Sequence, residues 1–245
     1  MANRGEGKTQ KSISAPKVRG FFEKKRETLT PKSRAGPHSK ETSVPLSFFM
    51  RNVIGATANM KETKNALSGG NVKVNGKVRK DKGLSIGLFD VVEIPIMKKK
   101  YRAMLDRKGR LVAKEIGAKD GAFKVSKVVG KSVRKGGKVW ITTNDGFTIE
   151  APKAWTKVSV EDSVRIALPE IKIEEVYPMD KGGSAFIIGG IHTGKTVRID
   201  GIIAGDMKKH KVAELSDGES KFQTITGNVL VVGRGKPEIE AIAGK

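Results

Sequence analysis

Gly189-Gly190-Ile191-His192-Thr193-Gly194-Lys195-Thr196 fits G-x-x-x-x-G-K-[ST] at every position, the spacing with which nucleotide hydrolases cradle phosphates. That chemistry needs a helix N-terminus directly after the loop, so that free amides and the helix dipole meet the anion. The next residues here are Val197-Arg198-Ile199-Asp200-Gly201-Ile202-Ile203, alternating, β-branched and broken by Gly201. The pattern predicts a strand. Only 49 residues lie beyond Thr196, too few for the βαβ repeats that complete such a domain. A nucleotide hydrolase using Lys195 and Thr196 is therefore the disfavoured alternative. The same residues read better as a glycine-bearing loop between two strands.

Other residue types that support chemistry are sparse. There is no cysteine, which excludes disulfides, thiolate metal sites and a thiol nucleophile. The three histidines, His38, His192 and His210, lie at no ligand spacing, so no metal is expected. Glu161-Asp162 and Glu174-Glu175 are adjacent pairs whose members point to opposite faces of a strand, and nothing supplies a nucleophile beside them. They read as surface charge, and Trp140 and Trp155 read as packing. The expectation is a protein that is not an enzyme, with no cofactor and no small-molecule substrate.

Binding chemistry is better represented. The chain has 245 residues, 48 Lys+Arg, 26 Asp+Glu and a formal net charge of +22. An excess of this size repels itself in a compact chain unless a polyanion neutralises it, which points to nucleic acid. Residues 1–43 carry 11 basic and 4 acidic residues, residues 44–110 carry 15 and 5, and residues 111–245 carry 22 and 17. The main polyanion contact is thus expected in the first 110 residues. No apolar run approaches the roughly 20 residues that span a bilayer, and the N-terminus lacks an apolar signal region. The expected protein is soluble and cytoplasmic, has no membrane partner and is not a homo-oligomer.

Elements must place these cations. Residues 1–43 lack apolar periodicity and are interrupted by Pro16, Pro31 and Pro37, so they cannot bury enough surface to order alone. Apolar Val18 and Phe21-Phe22 embedded among the cations suggest an arm that orders on RNA, using Lys11, Lys17, Arg19, Lys24, Lys25, Arg26, Arg34, His38 and Lys40. From 44 to 80, Pro45 opens a helix with Leu46, Phe49, Met50 and Val53 at helical spacing before Gly55. Asn59 and Glu62 are spaced as an N-capping pair for a second helix, which Gly69-Gly70 close. Val72 and Val74, the turn Asn75-Gly76 and Val78 then form a hairpin. This helix-helix-hairpin presents Arg51, Lys61, Lys64, Lys73, Lys77, Arg79 and Lys80 against Glu62 alone, and such an imbalance predicts a phosphate-binding surface. Lys98-Lys99-Lys100 and Arg102 extend it.

From Asp90 onward short apolar runs such as DVVEIPIM, KVWITT, FTIEA, SVRIAL, TVRIDGII and NVLVV alternate with turn residues, which is the pattern of barrels or sandwiches. Asn144-Asp145-Gly146 and Asp217-Gly218 mark two hairpins.

The runs SVPLSFFMRNVIGATANMKETKNAL and VKVNGKVRKDKGLSIGLFDVVEI, with Ala35-Gly36-Pro37-His38 before them and YRAMLDRKGRL at 101–111 after, resemble the S4e family of small-subunit ribosomal proteins of archaea and eukaryotes. The resemblance spans essentially the whole chain. It implies an α+β protein made of a basic arm (1–43), a helix-helix-hairpin RNA-binding domain (44–97), a central β domain (98–176) and an SH3-like barrel with a KOW motif (177–245). Gly190, Gly194 and Ile199 match that motif, and Val197 stands where the family more often has a glycine. His192, Lys195 and Arg198 are the expected loop contacts. The implied partners are small-subunit ribosomal RNA and neighbouring ribosomal proteins. A non-ribosomal RNA-binding factor with the same motif is the second alternative.

Overall fold

The computed structural model describes residues 7, 9–16, 18, 27–152, 157–206, 210–218 and 220–239. They form a mixed but mostly β protein with few helices, divided into two compact units. The first comprises 1–103 and 110–116, the second 104–109 and 117–245. The expected arm and helix-helix-hairpin region fall in the first unit and the expected barrel in the second, whereas the expected central β domain is divided, with 98–103 and 110–116 in the first unit and the rest in the second.

In the first unit, β1 (Thr9–Lys11) pairs antiparallel with β2 (Leu29–Pro31). β3 (Val44–Pro45) leads into a helix that begins as α1 (Leu46–Phe48) and continues as a π-helix, Phe49–Ile54. The spacing predicts one apolar stripe here, yet Leu46, Ser47, Phe48, Phe49 and Met50 are all buried. The first five residues of the helix are thus a core element, and its last four, from Arg51 to Ile54, are half-buried. It stops at Gly55, whose φ of 74° only a residue tolerant of the left-handed region accepts easily. Next come α2 (Met60–Ser68), the hairpin β4 (Lys73–Val74) and β5 (Lys77–Val78), then β6 (Ser85–Ile86), β7 (Val91–Ile94), β8 (Lys99–Leu105) and β9 (Leu111–Ile116). β6 pairs with β3, and the order β5-β4-β7-β8-β9 makes a five-stranded sheet. Asn75 and Gly76 have φ of 50° and 77°, the two positive values of a type I′ turn. The Asn75 amide also ties the turn to β7, donating to Asp90 (2.7 Å) and accepting from the Val91 amide (2.9 Å).

Of the segment expected to be an unsupported arm, residues 27–43 are folded against the rest of the first unit. The Arg34 amide donates to the Gly83 carbonyl at 2.8 Å. The His38 ring is buried and bonded to Asp90 through Nε2 at 2.8 Å. It lies so close to Gly87 that a Cβ there would meet its Nδ1 at 2.3 Å.

The second unit holds two five-stranded sheets. β10 (Phe123–Arg134), β11 (Lys138–Thr143), β12 (Thr148–Glu150), β13 (Ser163–Ala167) and β14 (Lys172–Tyr177) run in the order β12-β11-β10-β13-β14. Val128, Ile141, Val164, Ile166 and Val176 are among their shared core. β15 (Ser184–Ile187), β16 (Thr196–Ile203), β17 (Val212–Asp217), β18 (Ser220–Ile225) and β19 (Val229–Gly233) run in the order β18-β17-β16-β15-β19. That order is open: no ladder joins β18 to β19 among the described residues, so the expected closed barrel is absent from them. Both predicted hairpins are present, β11–β12 through Gly146 (φ 74°) and β17–β18 through Gly218 (φ 66°).

Lysines and acids of this unit act as internal fasteners. Lys124 and Asp145 form an ion pair at 2.9 Å with each side chain 1% exposed, and Ser126 also donates to Asp145. The Lys127 ammonium donates to the carbonyls of Thr226 (2.6 Å), Gly227 (3.2 Å) and Val229 (2.9 Å), joining the first sheet to the turn before β19. Burial lowers the pKa of Lys127 despite the nearby Glu161. Glu161-Asp162, read from sequence as surface charge, is corrected: Asp162 is 8% exposed and accepts from the Ser159 and Met179 amides. Burial pushes the Glu161 carboxyl up, but hydrogen bonds from Thr226 and Lys211 and the charges of Lys211 and Lys127 outweigh it and hold the pKa low.

Candidate nucleic-acid interface

The surface with the chemistry of an RNA contact is built on α2. Asn59 Oδ1 accepts from the Glu62 amide at 2.9 Å, and Glu62 Oε2 accepts from the Ala58 amide at 2.8 Å. This reciprocal cap fixes the first turn and with it the phase of the helix. Thr63 and Leu67 face inward, so Lys61 and Lys64, three residues apart, are exposed on the outer side. Gly70, with φ of 73°, and the Asn71 amide bonding the Ala66 carbonyl at 3.1 Å close the helix, and the chain turns directly into the β4–β5 hairpin. Lys77, Arg79 and Lys80 are exposed there, and Lys73 is half-buried.

A groove of about 760 Å³ in the same unit is lined by Arg34, Arg51, Met60, Lys64 and Lys82, with Thr30 at its side. The Thr30 hydroxyl is buried with no hydrogen-bond partner among the described residues. Two of the groove's cations are already engaged: Arg34 with Asp81 at 3.2 Å, and Arg51 with Glu27. A phosphate entering the groove would share those guanidinium groups with the carboxylates, and would meet Lys64 from α2. Arg34, Arg51 and Lys64 were legible as cations. Lys82 sits in a turn without periodicity, and only the fold brings it to the groove.

The other predicted contacts distribute unevenly. Lys11, Lys40 and Lys98 are exposed. Lys99 and Lys100 open β8 and pair with Glu115 (3.1 Å) and Glu93 (3.6 Å). Two expectations are corrected. Arg102 is 2% exposed and His38 has a buried side chain, because both point into the first unit, and neither can reach a phosphate at its surface. Lys17, Arg19, Lys24, Lys25, Arg26 and Trp155 lie outside the described residues.

The glycine loop behaves as a turn between strands. β16 begins at Thr196, where a phosphate-binding loop would require a helix. The Lys195 ammonium is held by Asp217 at 2.6 Å, and the His192 ring stacks on Phe222 with centroids 3.9 Å apart. Gly194, at φ of 82°, leaves room for the chain's own backbone: a Cβ would meet Asp106 O at 2.8 Å. Arg198 and Gly190 are exposed. The nucleotide-hydrolase alternative is not supported.

No helix among the described residues is long and apolar enough to cross a membrane, and no cluster of metal-ligating side chains occurs among them.

Known proteins are similar to this chain over its full length. Residues 97–173 match the model of ribosomal family S4e. The small ribosomal subunit protein eS4 of Methanosphaera stadtmanae is 36% identical over 242 residues, 99% of each chain. That of Methanocaldococcus jannaschii is 34% identical over 247 residues, 98% of this chain and all of the relative. The crystal structure of the 30S ribosomal protein S4e from Thermoplasma acidophilum superposes with a TM-score of 0.68 at 28% identity, covering 79% of this chain and 96% of that one.

Proposed function

The chain belongs to ribosomal family S4e, and from that membership we propose that it is a structural constituent of the small ribosomal subunit, bound to ribosomal RNA and to neighbouring ribosomal proteins in the cytoplasm. The observation that carries the reading is the likeness to eS4 proteins across 99% of the chain. The first unit supplies the chemistry: a helix-helix-hairpin module with Lys61, Lys64, Lys77, Arg79 and Lys80 exposed, beside a groove lined by Arg34, Arg51 and Lys82. These cations neutralise phosphates where RNA helices pack together, and release of the condensed counterions makes the association salt-dependent. Lys11, Lys40 and Lys98 are further exposed cations of the first unit. In the second unit the loop around Gly190 and Gly194 is a KOW-type element, with Arg198 as its outward cation. No reaction is catalysed.

Gradient sedimentation of a cell extract at low salt tests this. The chain is expected to travel with small-subunit particles; recovery solely at the top of the gradient overturns the reading.

A further inference from the structure

One cationic feature is absorbed by none of these roles: the outer end of the β10–β11 hairpin. Pairing runs Lys131↔Ile141, Ser132↔Trp140, Val133↔Val139 and Arg134↔Lys138, whereas β12 joins β11 only at Trp140, Ile141 and Thr142 and β13 joins β10 only from Phe123 to Lys127. Residues beyond these points therefore form a two-stranded ribbon standing clear of its sheet. Every residue from Lys131 to Lys138 is exposed, and Val133 is 69% exposed. Between Asp120 and Asp145 the sequence contains no carboxylate.

Cross-strand partners share a face, so Ser132, Arg134, Lys138 and Trp140 lie on one side of the ribbon. There the Arg134 guanidinium sits over the Trp140 ring, 4.4 Å from its centroid. Lys138 pairs with Glu150 at 3.1 Å across the edge. At the tip, Gly136 and Gly137 have φ of 83° and 72°, and a Cβ on either would meet nothing within 4 Å, so bare backbone is presented outward. A short isolated ribbon is marginal by itself, and exposed Val133 has no core to join.

We infer that this ribbon is a second RNA-binding element, which lays the Arg134–Trp140 face and Lys135 against the sugar–phosphate backbone of structured RNA. The inference rests on the ribosomal reading and extends it to a part of the chain not included there. An acidic protein segment would satisfy the lysines alone. The guanidinium stacked on an aromatic ring and the glycine tip favour RNA instead: the stack offers a planar face for a base or ribose with N–H groups for phosphate, and the tip admits a backbone at close range.

The chain has no cysteine, so a Lys135→Cys variant carries a single attachment point for an iron chelate that generates hydroxyl radicals. Incorporated into small-subunit particles as the full chain, it is expected to cut ribosomal RNA at one localised position. In parallel, the variant with Arg134→Gln, Lys135→Gln and Lys138→Gln is expected to keep the wild-type melting temperature and to lower the slope of log binding against log salt by about three, one per phosphate contact removed. Particles that contain the labelled chain but show no cleavage above background, together with an unchanged salt slope, overturn the ribbon's role and leave the ribosomal reading standing. Radical cleavage confined to a neighbouring protein overturns it in favour of an acidic protein partner. Failure of the unlabelled wild-type chain to enter the particles overturns both.

Discussion

Lysine is used in two opposite ways, and a group of lysines from each unit shows the contrast. In the first, Lys61, Lys64, Lys77 and Lys80 are exposed around a groove and a hairpin. In the second, Lys124 and Lys127 are buried, one against Asp145 and the other against three carbonyl oxygens. Formal charge counts all six alike. The difference teaches that a cation's neighbours in space decide its role: removal of an exposed lysine should change binding with little change in folding, and removal of a buried partner should do the reverse.

The sharpest break in that comparison is Asp145→Ala. It strands Lys124 in the interior, where an uncompensated charge costs about 3–5 kcal/mol, and a shift of the denaturant midpoint of the full chain measures it. A near-neutral result would mean that Lys124 escapes to solvent and that the buried class is not real. Next in size is Lys127→Met, which keeps the volume but deprives the Thr226, Gly227 and Val229 carbonyls of their donor. Leaving buried acceptors unmet costs about 1–3 kcal/mol, offset in part because burial already disfavours the charged lysine. His38→Ala falls in the same range through the lost bond to Asp90 and the space left over Gly87, and should leave the salt dependence of RNA binding unchanged. This separates His38 from the surface cations with which its sequence grouped it.

A smaller effect comes from Glu161. Its folded pKa lies below the ordinary value of 4.5, so the folded state favours the carboxylate. The stabilisation is complete above the unfolded pKa and is lost as pH falls through the lowered folded value. Glu161→Gln should therefore flatten the acid limb of a stability profile below about pH 5 and leave the slope above it unchanged. Smallest in stability is the pair Lys61→Gln and Lys64→Gln, within about 0.5 kcal/mol of wild type by thermal melting.

Local chemistry was legible where a residue's role depends on its chain neighbours. The alternation after Lys195 was enough to predict β16 in place of a helix. Asn59 with Glu62 gave the cap of α2, and Asn75-Gly76 gave the turn of β4–β5. Roles decided by distant residues were not legible. His38 and Arg102 look like arm and strand cations until the fold turns them inward, and Asp162 looks like surface charge until Met179 and Ser159 arrive to bond it. The open order of β15–β19 is equally non-local, since strand spacing does not say whether the first and last strands meet. Charge counted by segment also concealed the 131–138 ribbon, because a sum over 111–245 sets 17 acidic residues against its cations although none of them lies between Asp120 and Asp145 in sequence.

The central claim is that exposed cations of the first unit hold the chain on small-subunit RNA. Its most direct test is the fraction of chain retained on small-subunit particles across a salt series, for wild type and for the variant combining Lys61→Gln, Lys64→Gln and Lys77→Gln. Loss of three phosphate contacts should lower the slope of log binding against log salt by about three at unchanged folding stability. Parallel lines for the two proteins would contradict the account.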